Sequence, residues 1–224
     1  MNSTLNEIRE KISSCDSAIL DNINNRIAQL DKVTAVKIEM YVDRYIYINP
    51  IREYEVMCRY TNFAKENDIS IDLAKNICRN LISCANVHEQ SNLTIFLLDS
   101  IDKIGYSIAT GYYPIVKNIE YYNKNNISTI NTDNNHSIFV LDENQIEIAK
   151  FLNDCNYKIY HIEYVNEKAL FFAARIKESD KKDDMNVIFL NLKNNKIEIF
   201  QSNNFSDLNS NEGYLYLGSS MPRI

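Results

Sequence analysis

The sequence predicts a two-part chain: an all-α domain of three helices over residues 1–92, then a small α+β domain over residues 93–224. Three observations carry this reading. The chain opens with apolar residues at helical spacing: Leu5, Ile8, Ile12, Cys15, Ile19, Ile23, Ile27, Leu30, Val33 and Met40 form one stripe. Two shorter helical patterns follow, each opened by a capping residue, Asn49 before Pro50 and Ser70 before Ile71. Beyond Asn92 the period shortens, and five segments between Ser137 and Phe200 alternate or run apolar over strand length.

A chain of 224 residues is long enough for one large domain or two small ones. A net charge of −6 argues against general affinity for nucleic acid or an anionic membrane, so any anion must be caught by a local cluster. The five cysteines are odd in number and lack CxxC spacing. Cys15, Cys78 and Cys84 fall on or near apolar stripes and read as small core residues, a pattern that suits a reducing compartment. The first residues hold no apolar signal region and no run could span a bilayer, so a cytoplasmic protein is expected.

The first helix is predicted over residues 3–42, with Ser3 or Thr4 as its N-cap and Glu7 at capping-box spacing from Thr4. Its apolar stripe carries cations. At 100° per residue Arg26 falls near the stripe's middle, and Lys37, eleven residues on, lies within about 20° of it and about 16 Å away. Arg9 sits at the stripe's edge, roughly 100° from Arg26. Long basic side chains can lay their stems on apolar surface and reach water with their heads. That suffices for one such residue; two on one line, with an Arg at the edge, favour a site for an anion.

Residues 41–48 form a tyrosine-rich connection. The second helix runs from about Pro50 to Lys65, where Glu53 suits the positive helix end. Arg52 does not, and an anion is one candidate reason for it. Ser70 caps a third helix, about Ile71 to Ser91, with apolar positions Ala74, Ile77, Cys78, Leu81, Ile82 and Ala85. Glu89 continues that face at its edge, and Gln90 points roughly 100° further round. One long and two shorter helices close a core poorly alone, so a second copy of the chain is the expected partner.

These residues are similar to the all-helical (type II) chorismate mutases. That pattern opens Leu-x-x-Ile-Arg-x-x-Ile-x-x-x-Asp, here Leu5 to Asp16 with Arg9. An Arg follows after seventeen residues, Arg26, and a Lys after eleven more, Lys37. The Arg52-Glu53 pair and Glu89 complete it, with about three extra residues between Lys37 and Arg52. The resemblance implies an intertwined helical homodimer that converts chorismate, or a related dicarboxylate, to prephenate by a Claisen rearrangement. It implies that Arg26 and Arg9 of the partner subunit hold the carboxylates, and that Lys37 and Glu89 hydrogen-bond the ether oxygen. Arg52 and Glu53 would meet the ring end. It implies no metal, no cofactor, no nucleic acid and no membrane. The step is unimolecular, so it needs only a folded dianion and stabilised charge on the ether oxygen.

Three positions depart from the pattern. Asn49 stands where many members have Asp, Ala85 where a small hydroxyl residue is common, and Glu89 where bacterial members have Gln and fungal members Glu. Sliding the register by one would put Gln90 there but Arg79 on a core position, so Glu89 is preferred. A carboxylate beside a breaking C–O bond would repel the developing charge, so Glu89 is expected to act protonated. The same fold hosts isochorismate-pyruvate lyases and mutases of aminated chorismate. The lyases tend to lack the Arg at the place of Arg52. A third reading is a non-catalytic dimerisation module with function in the second half, against which the set of cations counts.

In the second half, Thr94–Leu98 reads as strand or helix tail, and residues 101–123 are ambiguous because Gly105, Gly111 and Pro114 break any long helix. Residues 124–136 and 177–184 read as loops, and Glu143–Asn153 as an amphipathic helix. Tyr157–Val165, Ala169–Ile176, Val187–Leu192 and Lys196–Phe200 read as strands, with turns at Asn166–Lys168 and Asn194-Asn195. The tail 201–224 reads as polar with one short apolar run, Tyr214–Leu217. A mostly antiparallel sheet with one or two helices is expected. His136 and His161 read as isolated, and Arg175 as a solvated or paired strand residue.

Overall fold

The computed structural model describes residues 2–40, 48–90, 92–130, 136–165, 168–176, 185–201 and 214–221. The chain forms two compact units, Met1–Val42 and Asp43–Ile224. A helical region is followed by an α+β region, as the periodicity predicts.

The first unit is one helix, α1 (Asn2–Met40). It starts at Asn2, so Ser3 and Thr4 lie inside the first turn rather than at the cap. The stripe is open: Leu5, Ile8, Ile12 and Ile19 are 48%, 50%, 56% and 57% exposed. Cys15 lies on this open stripe and is exposed, which corrects its reading as a core residue. Most of the tyrosine-rich connection, 41–47, lies outside the described residues, as do the expected loop 177–184 and residues 166–167 of an expected turn.

The second unit begins with a helical hairpin, α2 (Pro50–Glu66) and α3 (Ile71–Glu89). Asn49 Oδ1 accepts from the Arg52 backbone N–H at 3.0 Å, and Ser70 Oγ from that of Leu73 at 3.3 Å. Each cap satisfies an amide that the helix itself leaves unpaired. Short of the expected boundary at about Ser91, α3 stops at Glu89, with Gln90 as its C-cap. At the far end of the hairpin Phe63, Ile69, Leu73 and Ile77 are exposed around an apolar groove.

Among the described residues eight strands follow: β1 (Thr94–Leu98), β2 (Asn118–Tyr122), β3 (Ser137–Asp142), β4 (Lys158–Val165), β5 (Lys168–Ala174), β6 (Asn186–Asn191), β7 (Lys196–Gln201) and β8 (Tyr214–Ser220). Two helices accompany them, α4 (Lys103–Tyr112) and α5 (Ile146–Asp154), with a short 3-10 helix at Ile127–Thr129. The strands make one sheet in the order β2-β1-β3-β5-β4-β8-β6-β7. β1 is parallel to β2 and β3, and β4 to β8; the other four pairings are antiparallel.

Successive residues of β1 and β3 feed opposite faces. Phe96, Leu98, Phe139 and Leu141 join Ile148 and Leu152 of α5 in one core. Ile95, Leu97, Ile138 and Val140 join Ala109 of α4 in another, with Ile48 and Val87 from the ends of the hairpin region. A sheet covered on both faces needs apolar residues at every position, hence the unbroken runs of β1 and β3.

Two segments differ from expectation. The ambiguous run 101–123 holds α4, capped by Asp102 Oδ1 on the Gly105 N–H at 2.7 Å, and then β2. The polar tail holds β8, an internal strand between β4 and β6. Its small residues allow the insertion. Gly218 pairs with Ile159 at φ +146°, and an added Cβ would lie 2.2 Å from the Ile159 carbonyl oxygen.

Gly218→Ala should therefore cost more than about 2 kcal/mol in chemical denaturation, while Gly111→Ala, inside α4 and with nothing within 4 Å of its added Cβ, should leave stability unchanged or raise it by up to about 1 kcal/mol. Asn49→Ala should cost about 1 kcal/mol by the same measurement, the usual effect of deleting an N-cap side chain.

Candidate active site

The cations of α1 divide by exposure. Arg9 is exposed, while Arg26 and Lys37 are half-buried. Arg26 Nη1 is shielded from solvent with no hydrogen-bond partner among the described residues. A guanidinium N–H in that state is a donor awaiting an acceptor.

On α2 the Arg52-Glu53 pair splits. Arg52 is exposed and its Nη1 lies 3.5 Å from Glu55 Oε2, an i,i+3 surface pair worth little to stability. Glu53 turns the other way: Asn86 Nδ2 on α3 donates to its Oε1 at 3.0 Å. Asn49 is exposed, its side chain capping α2. On α3, Ala85 and Glu89 are half-buried. Gln90 is 1% exposed, and neither its Oε1 nor its Nε2 has a partner among the described residues. A buried primary amide left unpaired is costly, so Gln90 stands beside Glu89 as a candidate for the same role.

Arg79, which the preferred register keeps off the core, is half-buried and reaches from α3 towards β4. Its Nη2 lies 3.5 Å from Glu163 Oε1 on β4, and its guanidinium stands 5.9 Å from the Tyr112 ring centre. His161, read as isolated, is not: its Nε2 is 3.2 Å from the same Glu163 oxygen, and its ring stacks on Tyr112 at 4.1 Å. These groups border a cavity of about 150 Å³ between α2, α3, the end of α4 and β4. Of the residues singled out by sequence, Asn49 to Glu89, only Glu53 lines it. Beside it, the buried Tyr113 and Tyr160 hydroxyls share a hydrogen bond of 2.7 Å, and burial holds both phenols well above the ordinary tyrosine range.

A signal for this cluster was available in spacing alone. His161 and Glu163 are two apart on a strand, and Lys75 and Arg79 four apart on a helix, so each pair shares a face. What spacing withholds is that the two faces meet. Arg175 donates through Nε to the Cys155 carbonyl at 3.1 Å and stands 5.1 Å from the Tyr157 ring centre, a paired residue as expected. His136 is half-buried, and burial lowers its proton affinity. No helix among the described residues is long and apolar enough to cross a membrane.

The chain matches no curated protein and no solved structure. A family match does emerge over the helical part, and its span contains Arg9, Arg26, Lys37, Asn49, Arg52, Glu53, Ala85 and Glu89. Residues 8–90, the three helices that open the chain, match the family described as Chorismate mutase type II.

Proposed function

We propose that the chain is a chorismate mutase, an isomerase that rearranges chorismate to prephenate without cofactor or metal. The family match over residues 8–90 carries this reading, and it supports activity of the chorismate mutase type. The unpaired, shielded Nη1 of Arg26 adds to it.

The chemistry asks little beyond cations and order. Chorismate is a flexible dianion that must fold until its two reacting carbons approach. Arg26, with Arg9 of the partner subunit, would hold the two carboxylates and supply that geometry. Negative charge builds on the ether oxygen as its C–O bond breaks. Lys37 would meet it directly, with Glu89 as the second side chain at the ether oxygen. Arg52 and Glu53 would meet the ring end, Glu53 accepting from the ring hydroxyl. Asn49 and Ala85 would border the ring where other members carry more polar groups.

The exposed stripe of α1, together with exposed Arg9, favours a homodimer in which Arg9 serves the neighbouring site. Residues 1–92 would then form the catalytic part and residues 93–224 an accessory or regulatory part. Isochorismate-pyruvate lyase or aminodeoxychorismate mutase activity is the second reading. Asn49 and the longer Lys37–Arg52 spacing favour an altered ring, whereas the presence of Arg52 favours a mutase.

Purified protein should consume chorismate, followed by loss of its absorbance, and yield prephenate. No turnover of chorismate, with pyruvate released from isochorismate, would replace the first reading by the second; no turnover of either would leave a dimerisation module. Arg26→Ala and Lys37→Ala should each lower kcat/KM by about 10²- to 10³-fold, the cost of removing one preorganised charge-stabilising donor. Glu89→Ala should also lower kcat/KM; an unchanged kcat/KM in that variant, together with loss of activity in Gln90→Ala, would transfer the role to Gln90.

A further inference from the structure

Of the residues assigned above to the rearrangement, Glu53 alone is in the lining of the cavity between the helical hairpin and β4, and the rest of that lining is unusual. Four charged side chains border it: Lys75 and Arg79 from α3, Glu53 from α2 and Glu163 from β4. Two are positive and two negative, so the formal charge around the hollow is near zero. Carboxylates placed beside Glu53 and Glu163 would be repelled, and Arg9, Arg26 and Lys37, the cations assigned above to chorismate, are not in this lining. The remaining wall includes His161 beside apolar and aromatic residues, among them Met57, Ile82, Ile162, Tyr112 and Tyr160.

Arg79 is incompletely matched. Among the described residues its ion pair is with Glu163, long at 3.5 Å, and that carboxylate oxygen is also met by His161 Nε2 at 3.2 Å. The buried Nε of Arg79 has no acceptor among the described residues. A shielded guanidinium N–H beside a hollow calls for an oxygen acceptor. Lys75 lies one helical turn away, about 6 Å along α3, and adds a second positive group on the same wall. The carboxylates lie on other elements, Glu53 on α2 and Glu163 on β4.

Volume narrows the ligand further. At about 150 Å³ the hollow is well below the 300–1,000 Å³ of pockets for drug-sized molecules, and close to the size of cavities that admit a single benzene. The enclosed volume points to a small ligand.

We propose that this cavity is a binding site for a small zwitterion, a molecule joining one carboxylate and one ammonium to a compact apolar body of about four or five carbons. Arg79 and Lys75 take the carboxylate, Glu53 and Glu163 take the ammonium, and Met57 and Ile82 receive the apolar body. All of these residues belong to the unit Asp43–Ile224. The site stands whether or not the chain acts on chorismate.

Isothermal calorimetry on the full chain tests this with L-alanine, L-valine, L-leucine and L-methionine. At least one of the larger three should bind with a dissociation constant below about 1 mM. For leucine, the matched cation isopentylamine and the matched anion N-acetyl-leucine should each bind more than about tenfold more weakly, the effect of losing one charge-assisted contact. Arg79→Gln should weaken binding by a similar factor. Should that variant not fold, Lys75→Gln, at a half-buried position, decides in its place. Arg26→Ala should bind the zwitterion as the parent does. Failure of all four amino acids to bind overturns the proposal. So does equal binding of isopentylamine or N-acetyl-leucine, unchanged affinity in the folded Arg79 or Lys75 variant, or loss of binding in Arg26→Ala.

Discussion

The sheet face made by Ile95, Leu97, Ile138, Val140 and Phe172 cannot be left to water, and what covers it arranges the unit Asp43–Ile224. Helix α4 covers part of it through Ala109, with Tyr113 following, and Ile48 and Val87 bring the ends of the hairpin region against the rest. Once α3 is held there, its polar side faces β4, and Arg79 can reach Glu163. That ion pair is partly solvated and long, so it adds little to stability. The apolar contacts fix the geometry, and the charged groups occupy what is left between the elements.

Glu53 shows how the same packing shapes the helical hairpin. Neighbouring residues on α2 point in different directions, so Arg52 goes to solvent and Glu53 turns to Asn86 on α3. The carboxylate therefore has a fixed acceptor geometry before any ligand arrives, a condition for useful recognition. The buried Tyr113–Tyr160 pair stiffens the wall behind it, since neither hydroxyl has water to turn to.

The helices were legible because each carries a three-and-four apolar period and α2 and α3 open on a polar cap. Asn49-Pro50 and Ser70 marked their starts to the residue. The start of α1 was not, because a helix that runs through Ser3 and Thr4 uses neither as a cap. Helix α4 was hidden by Gly105 and Gly111, which weaken a helix without forbidding it. Strand β8 was hidden for the opposite reason: Gly218, Ser219 and Ser220 carry no strand signal, and their smallness admits them between neighbours. In the helical region the ordered cations were readable as a family pattern, and residues 8–90 bear the match. The charged cavity was not readable, because Arg79 was judged on α3 alone, and Glu163, eighty-four residues on, supplies its counter-charge.

The strand order carries a consequence for how the chain reaches this fold. β4 pairs only with β5 and β8, and β6 only with β7 and β8. The first five strands and the β6–β7 hairpin are thus two separate pieces of ladder until β8, the last of the eight along the chain, slides between them. A ribosome delivers that wedge after everything it joins. Until then two bare strand edges stand open, so the interval before insertion is when the nascent chain is most exposed to pairing with the wrong neighbour.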